Sequence, residues 1–242
     1  MFLRLYIFFI ISFLSTFLFG QKTSNILDNK QFKFEEFTSK DGLKHHSITE
    51  VSQDSRGYMW FGTFNGIYKY DGYTFKIYKN KIQDKNSLIE NNINVVKEDS
   101  FGNIWVGTNG GLCRFNRDND NFNRIIYTSD LSIPDLIIKD KIYCILQDVN
   151  NVLWIGTNTG LYQLTKNKSR DNTFSIKHFS SKNNNLHSDI VKSIIQDEKG
   201  NIWVGTSNGL NLLSYKDVNK IKFYNYTKFL RSKNYLSNNF IT

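Results

Sequence analysis

Proline, cysteine and histidine are all scarce in this chain of 242 residues. A single proline, Pro134, leaves extended strands uninterrupted, because proline removes a donor from any ladder it joins. Two cysteines, Cys113 and Cys144, are too few for a disulfide scaffold and form no CxxC pair. They read as small buried thiols, with a single bridge after export as the other reading. The four histidines, His45, His46, His178 and His187, form no cluster in the sequence. Adjacent His45 and His46 on a strand would face opposite ways, so no metal pair and no cofactor are expected. Positive charge is not blocked together either. The net charge is +9 and the pI about 9.3, yet no run of five basic residues occurs. That pattern reads as solvated surface with weak attraction to polyanions, and not as a nucleic-acid partner.

Apolar length is concentrated at the start. "MFLRLYIFFIISFLSTFLFG" carries one charge, Arg4, before an apolar run from Leu5 to Phe19, and Gly20 offers a small residue at a cut. The run is short for a membrane span of about 20 residues. Residues 1–20 are therefore expected to be a cleaved signal peptide, 21–31 a short leader, and the mature protein exported and periplasmic. No second membrane-length apolar run follows.

What the chain does have is repetition. "DSRGYMWFGTFNGI" from Asp54 returns as "DSFGNIWVGTNGGL" from Asp99, "DVNNVLWIGTNTGL" from Asp148 and "DEKGNIWVGTSNGL" from Asp197. All four tryptophans, Trp60, Trp105, Trp154 and Trp203, hold the same place in these stretches, 45, 49 and 49 residues apart. Such a period suits a four-stranded blade or a helical pair, and the β-branched and aromatic runs between glycine and asparagine turns select strands. In the second unit "INVVKED" predicts a first strand and "DSFGN" a turn. The strands "NIWVGT", "LCRFN" and "FNRIIY" follow. Gly57, Gly102 and Gly200 suit a positive φ in that turn, and Asn151, which replaces them in the third unit, is the usual substitute. Ile104 and Val106 face one way, Trp105 and Gly107 the other. A strand apolar on both faces needs a sheet above and a sheet below, which stacked units supply. The tryptophan is then the wedge between blades, and the glycine after it (Gly62, Gly107, Gly156, Gly205) admits a close-approaching backbone.

The expected fold is all-β. Propeller blades of four antiparallel strands are predicted at about 43–80, 88–128, 138–180 and 186–227, within a repeat region of 32–242. Phe32 to Phe37 resembles an outermost strand, and 235–242 starts a further blade, so an open arc cut from a larger protein is expected. The repeated aspartates Asp54, Asp99, Asp148 and Asp197 read as turn formers, since an active site is single whereas a turn is needed in every blade.

The pattern D-x-x-G-x-[IL]-W-[VI]-G-T-x-x-G-L, over roughly Phe32 to Thr242, resembles the two-component regulator propeller repeat. Tyr58, Met59 and Phe61 in the first copy, and Asn151 and Val152 in the third, depart from it by size-tolerant changes. The resemblance implies the periplasmic sensor region of a hybrid two-component histidine kinase that detects an oligosaccharide and signals to gene regulation. It implies as partners the membrane and kinase segments of a longer parent, and a homodimer through that parent receptor. No kinase-like His box or ATP lid is present, so no enzyme activity is expected of this chain. The alternatives are a streptogramin-lyase-like propeller enzyme, which would need a non-repeated His/Glu cluster, and a protein-binding scaffold.

The resemblance also implies a ligand site on a face built by loops. Two connections per blade share such a face, the segment before the first strand and the turn between the second and third. The first set includes His45, His46, Asn91, Asn92, His187 and Ser188, and the second Asn65, Asn109, Asn158 and Asn208. Amides and imidazoles pair with sugar hydroxyls, although asparagine beside glycine is also ordinary turn chemistry. His46, Asn65, Asn92, Asn109, Asn158, His187 and Asn208 are the expected ligand-binding residues, with no catalytic or metal-binding residue among them.

Overall fold

The structure, a computed structural model, describes residues 36–45, 47–127, 136–137, 140–166, 174–183, 186–214 and 221–226. The expected signal peptide and leader, most of the expected Phe32–Phe37 strand, His46 and the expected start of a blade at 235–242 lie outside the described residues. The chain divides into Met1–Glu36 and Phe37–Thr242, and the second unit holds every element described below.

After a short 3-10 turn (Ser39–Asp41) the described chain is built of strands. The first sheet runs β1 (Ile48–Gln53), β2 (Met59–Thr63), β3 (Gly66–Tyr70), β4 (Phe75–Tyr78). The second runs β5 (Ile93–Glu98), β6 (Ile104–Thr108), β7 (Gly111–Asn116), β8 (Asn121–Arg124). A two-stranded ribbon, β9 (Ile126–Tyr127) with β10 (Leu136–Ile137), precedes the third sheet. That sheet is β11 (Ile142–Gln147), β12 (Leu153–Thr157), β13 (Leu161–Lys166), β14 (Phe174–Phe179). The fourth is β15 (Val191–Gln196), β16 (Ile202–Thr206), β17 (Gly209–Ser214), β18 (Lys222–Tyr226). Each four-stranded sheet is an antiparallel meander in chain order. The expected fourth strand "FNRIIY" splits: Ile125 turns inward, its N–H bonding Leu112 O at 2.9 Å, and Ile126–Tyr127 leave to pair with Leu136–Ile137. At Phe37 the chain is not a strand, and its ring packs edge-on against Tyr70 and Phe75.

The sheets stack as an open arc, with β1 against β5, β5 against β11 and β11 against β15. Three apolar layers fill the gaps. Trp60 packs with Ile93, Val106 and Phe115 of the next sheet, and Trp105 with Ile142, Ile155 and Leu164. Trp154 packs with Val191, Ile202 and Leu213. Trp60, Trp105 and Trp154 are each 0% exposed, whereas Trp203, on the far face of the fourth sheet, is half-buried.

The glycine after the tryptophan in the first three sheets, Gly62, Gly107 and Gly156, is needed for a reason different from the expected one. A Cβ on Gly107 would sit 2.5 Å from Ile142 Cγ2, and one on Gly62 2.8 Å from Ile93 Cγ2. It is mainly the first side chain of the next sheet's inner strand, not its backbone, that enters the space. At Gly156, Val191 enters from the next sheet while Cys144 of the same sheet closes in from the other side.

The turn between the first two strands follows one recipe. In the second sheet Asp99 Oδ1 accepts the N–H groups of Phe101 and Asn103, both at 2.9 Å. Gly102 takes φ 79°, and Asn151 takes φ 61° at the matching place in the third sheet. The other carboxylate oxygen accepts the indole N–H: Trp60 to Asp54 at 3.0 Å, Trp105 to Asp99 at 2.8 Å, Trp154 to Asp148 at 2.7 Å and Trp203 to Asp197 at 2.9 Å. One aspartate thus closes the turn and satisfies a donor that burial would otherwise leave unpaired.

Candidate functional site

An antiparallel meander sends alternate connections to opposite ends. One end of the arc carries the aspartate turns and the turns between third and fourth strands; call it the turn face. The other, the loop face, carries the lead-in segments and the turns between second and third strands.

On the loop face the two kinds of connection touch. Asn109 N–H bonds Asn92 O at 3.0 Å, Asn158 N–H bonds Lys141 O at 3.1 Å, and Ser207 N–H bonds Ile190 O at 2.9 Å. The Asn158 side chain returns the contact, accepting Lys141 N–H at 2.8 Å, and the Ser188 and Ser207 hydroxyls meet at 2.8 Å. In every blade the turn threonine shapes the hairpin: Thr63, Thr108, Thr157 and Thr206 each donate to a glycine carbonyl, at Gly66, Gly111, Gly160 and Gly209.

The expected ligand residues are not equivalent in this setting. Asn65, Asn158 and Asn208 are exposed, while Asn92, Asn109 and His187 are half-buried. Asn92 Oδ1 and His187 Nε2 are buried without a hydrogen-bond partner among the described residues. Burial lowers the His187 pKa, so the ring is neutral at pH 7. His178 is held as a packing residue, its Nε2 3.0 Å from Thr159 O and its ring 4.4 Å from that of Tyr162.

Sequence reading missed a second set of loop-face residues. Each inner strand carries a β-bulge one residue after its start, and the extra residues are Thr49, Asn94, Tyr143 and Lys192. All four take part in contacts between neighbouring blades. Thr49 Oγ1 donates to Ile93 O at 2.7 Å, and Asn94 Nδ2 donates to Ile142 O and to Asn109 Oδ1, both at 2.9 Å. Lys192 Nζ lies 4.0 Å from the Tyr143 ring centroid, and Lys141 Nζ approaches the same ring at 5.1 Å. From Asn109 through Asn94 to Tyr143 and Lys192 the face therefore offers amides, an aromatic ring and two ammoniums in one neighbourhood. These groups bind by hydrogen bonds and ring contact. Among the described residues no three His, Cys, Asp or Glu side chains converge to hold a metal ion, and no helix is long and apolar enough to cross a membrane. Cys113 and Cys144 are free thiols, and burial pushes both pKa values up to about 12.

Comparison with known proteins supports the repeat assignment. The sequence profile of the family described as "Two component regulator propeller" matches residues 42–65, 87–110, 137–159 and 185–208. Over 59 residues, 24% of the chain, the sequence is 46% identical to Histidine kinase P4 of Formosa agariphila, a match spanning 4% of that protein. The extracellular domain of a hybrid two component system from B. thetaiotaomicron superposes with TM-score 0.59 at 25% identity, over 76% of this chain and 23% of that one. A second such domain from the same organism gives TM-score 0.61 at 24% identity, over 80% and 24% of the two chains. Virginiamycin B lyase from Staphylococcus aureus, at TM-score 0.50 and 15% identity, covering 74% of this chain and 55% of its own, is alike in fold alone. The chain thus spans less than a quarter of the length of those two extracellular domains.

Proposed function

From the premise that this chain carries four two component regulator propeller repeats, we propose that it is the ligand-sensing part of an extracytoplasmic receptor of a two-component histidine kinase. The ligand in this reading is an oligosaccharide, and the signal passes to gene regulation through membrane and kinase segments of a longer protein, which acts as a homodimer. The chain itself is a non-catalytic, exported periplasmic module.

The observation that carries the reading is the coupling of the loop face across blades. Asn94 touches both its own hairpin, at Asn109, and the next blade, at Ile142 O, so a ligand on this face contacts groups from two blades at once. Asn65, Asn92, Asn109, Asn158, His187 and Asn208 supply the amide and imidazole groups in this reading, and His46, which precedes the first blade in the sequence, lies outside the described residues. A sugar needs paired donors and acceptors plus an apolar platform, and Tyr143 offers a ring on this face.

A glycan array followed by calorimetry on the exported chain tests it. Binding of a defined oligosaccharide that weakens about tenfold or more in Asn94→Ala supports the reading. Turnover of a streptogramin in place of saccharide binding, or capture of protein partners with no sugar bound, would replace it with the enzyme or scaffold alternative.

A further inference from the structure

A cleft lies on the turn face, where sequence reading placed no site. It measures about 550 Å³, within the range of small-ligand pockets, and spans the turns of the first two blades. Three arginines line it, and they differ in what they do. Arg117 commits its guanidinium to the protein: Nη1 to Asp54 Oδ2 and Nη2 to Glu98 Oε1, both at 3.0 Å, and Nε to Gly102 O at 2.9 Å. Arg56 is exposed at the mouth.

Arg114 is the unusual one. It is only 8% exposed, yet among the described residues it makes no hydrogen bond and no ion pair. Its guanidinium carbon lies 5.9 Å from the Trp105 ring centroid and 5.8 Å from that of Phe174. Asp99 supports its charge through space, but both Asp99 oxygens are already taken by N–H groups of Phe101, Asn103 and Trp105. Five donors in a fixed fork therefore stand without a protein partner among the described residues, on the wall of the cleft. Arg114, Phe101 and Asn103 also line an adjoining recess of about 40 Å³ between the second and third blades.

The surroundings suit an anion attached to a ring. Phe101 is 57% exposed at the rim and offers an apolar face. The Asn123 side chain makes no hydrogen bond among the described residues, and Asn116 uses its carbonyl oxygen on Asp118 N–H at 3.0 Å, which leaves its amide donors for a ligand. Asp118 is the acidic residue lining the cleft, set against Arg56 and Arg114.

We propose that this cleft is a binding site for a small saccharide ring bearing a carboxylate or sulfate, with the anion held in the fork of Arg114 and the ring's apolar face on Phe101. The planar fork matches either group bidentately, which an ammonium cannot do. The cleft lies at the opposite end of the blades from Asn94 and Tyr143, so this proposal and the loop-face reading fail separately.

Calorimetric titration of the whole chain with glucuronate, inorganic sulfate and glucose is the test. Glucuronate and sulfate are expected to bind, glucuronate more tightly, and glucose not. Arg114→Lys, which keeps the charge and the stem but loses the fork, is expected to weaken both anions about tenfold or more. Equal binding of glucose and glucuronate, binding of neither anion, or unchanged affinity in a variant with native circular dichroism would overturn the proposal. Should that variant not fold, hydrogen exchange on the natural sequence decides. Glucuronate is expected to protect the amides of Phe101 to Asn103, and protection absent there would refute the site.

Discussion

At the residue scale the aspartate–tryptophan pair explains why the same two letters recur in every unit. Each aspartate accepts the same set of N–H groups, two from the turn backbone and one from an indole six residues on, beside any further donor. Replacing Asp148 by alanine removes these acceptor contacts and strands the Trp154 N–H in an apolar layer. A loss of about 2–4 kcal/mol is expected in a urea titration. Protonation weakens the same contacts. Hydrogen bonds from Asn201 and Trp203 hold the Asp197 pKa down at about 2. At Asp54, burial opposes but does not outweigh the bonds from Trp60 and Arg117, and its pKa is also lowered. A folded-state pKa below the unfolded value stabilises the fold above the unfolded pKa, and that contribution is lost as pH falls through the folded value. Stability measured against pH should therefore decline from about pH 4 toward about pH 2, and less steeply in Asp54→Asn. The thiols make a separate prediction. With both pKa values pushed up to about 12, Cys113 and Cys144 should not react with a thiol reagent at neutral pH until the chain unfolds.

At the element scale, the strands and turns were largely legible in the sequence. Alternation in "NIWVGT" placed Trp105 and Ile104 on opposite faces, and the structure puts them in different apolar layers. Gly102 and its replacement Asn151 marked the positive-φ turn correctly. What local pattern could not reveal is what lies across a gap. The residue before each aspartate is Gln or Glu, and in the second, third and fourth sheets its side chain reaches back to the preceding blade. Glu98 Oε2 accepts Ser55 N–H at 2.6 Å, Gln147 Oε1 accepts Ser100 N–H at 2.6 Å, and Gln196 Oε1 accepts Val149 N–H at 3.0 Å. Those partners stand more than forty residues apart, beyond any local periodicity. The inner-strand bulges and Arg114 were hidden for the same reason. Gly107 shows what such contacts demand. Gly107→Ala should cost about 1–3 kcal/mol by collision with Ile142 Cγ2, and Ile142→Ala, which removes that methyl, should relieve part of it, as a double-mutant cycle would read.

At the scale of the whole molecule, no sheet is complete without a neighbour. Ile104 and Val106 serve the layer below the second sheet and Trp105 the layer above it. Stability in such an array is a sum of unit and interface terms, so removing one wedge weakens the blades on both sides of it. The loop face and the turn cleft depend on this stacking, because each is made by groups from adjacent blades. Trp203 gives an internal control. It makes the same bond to its aspartate as the others, but it is only half-buried. The most direct measurement is urea unfolding of Trp105→Ala beside Trp203→Ala. Stacking through the indoles predicts a loss of about 3–5 kcal/mol for the first and a clearly smaller one for the second. Losses under about 1 kcal/mol for Trp105→Ala, or equal losses at the two positions, would contradict it.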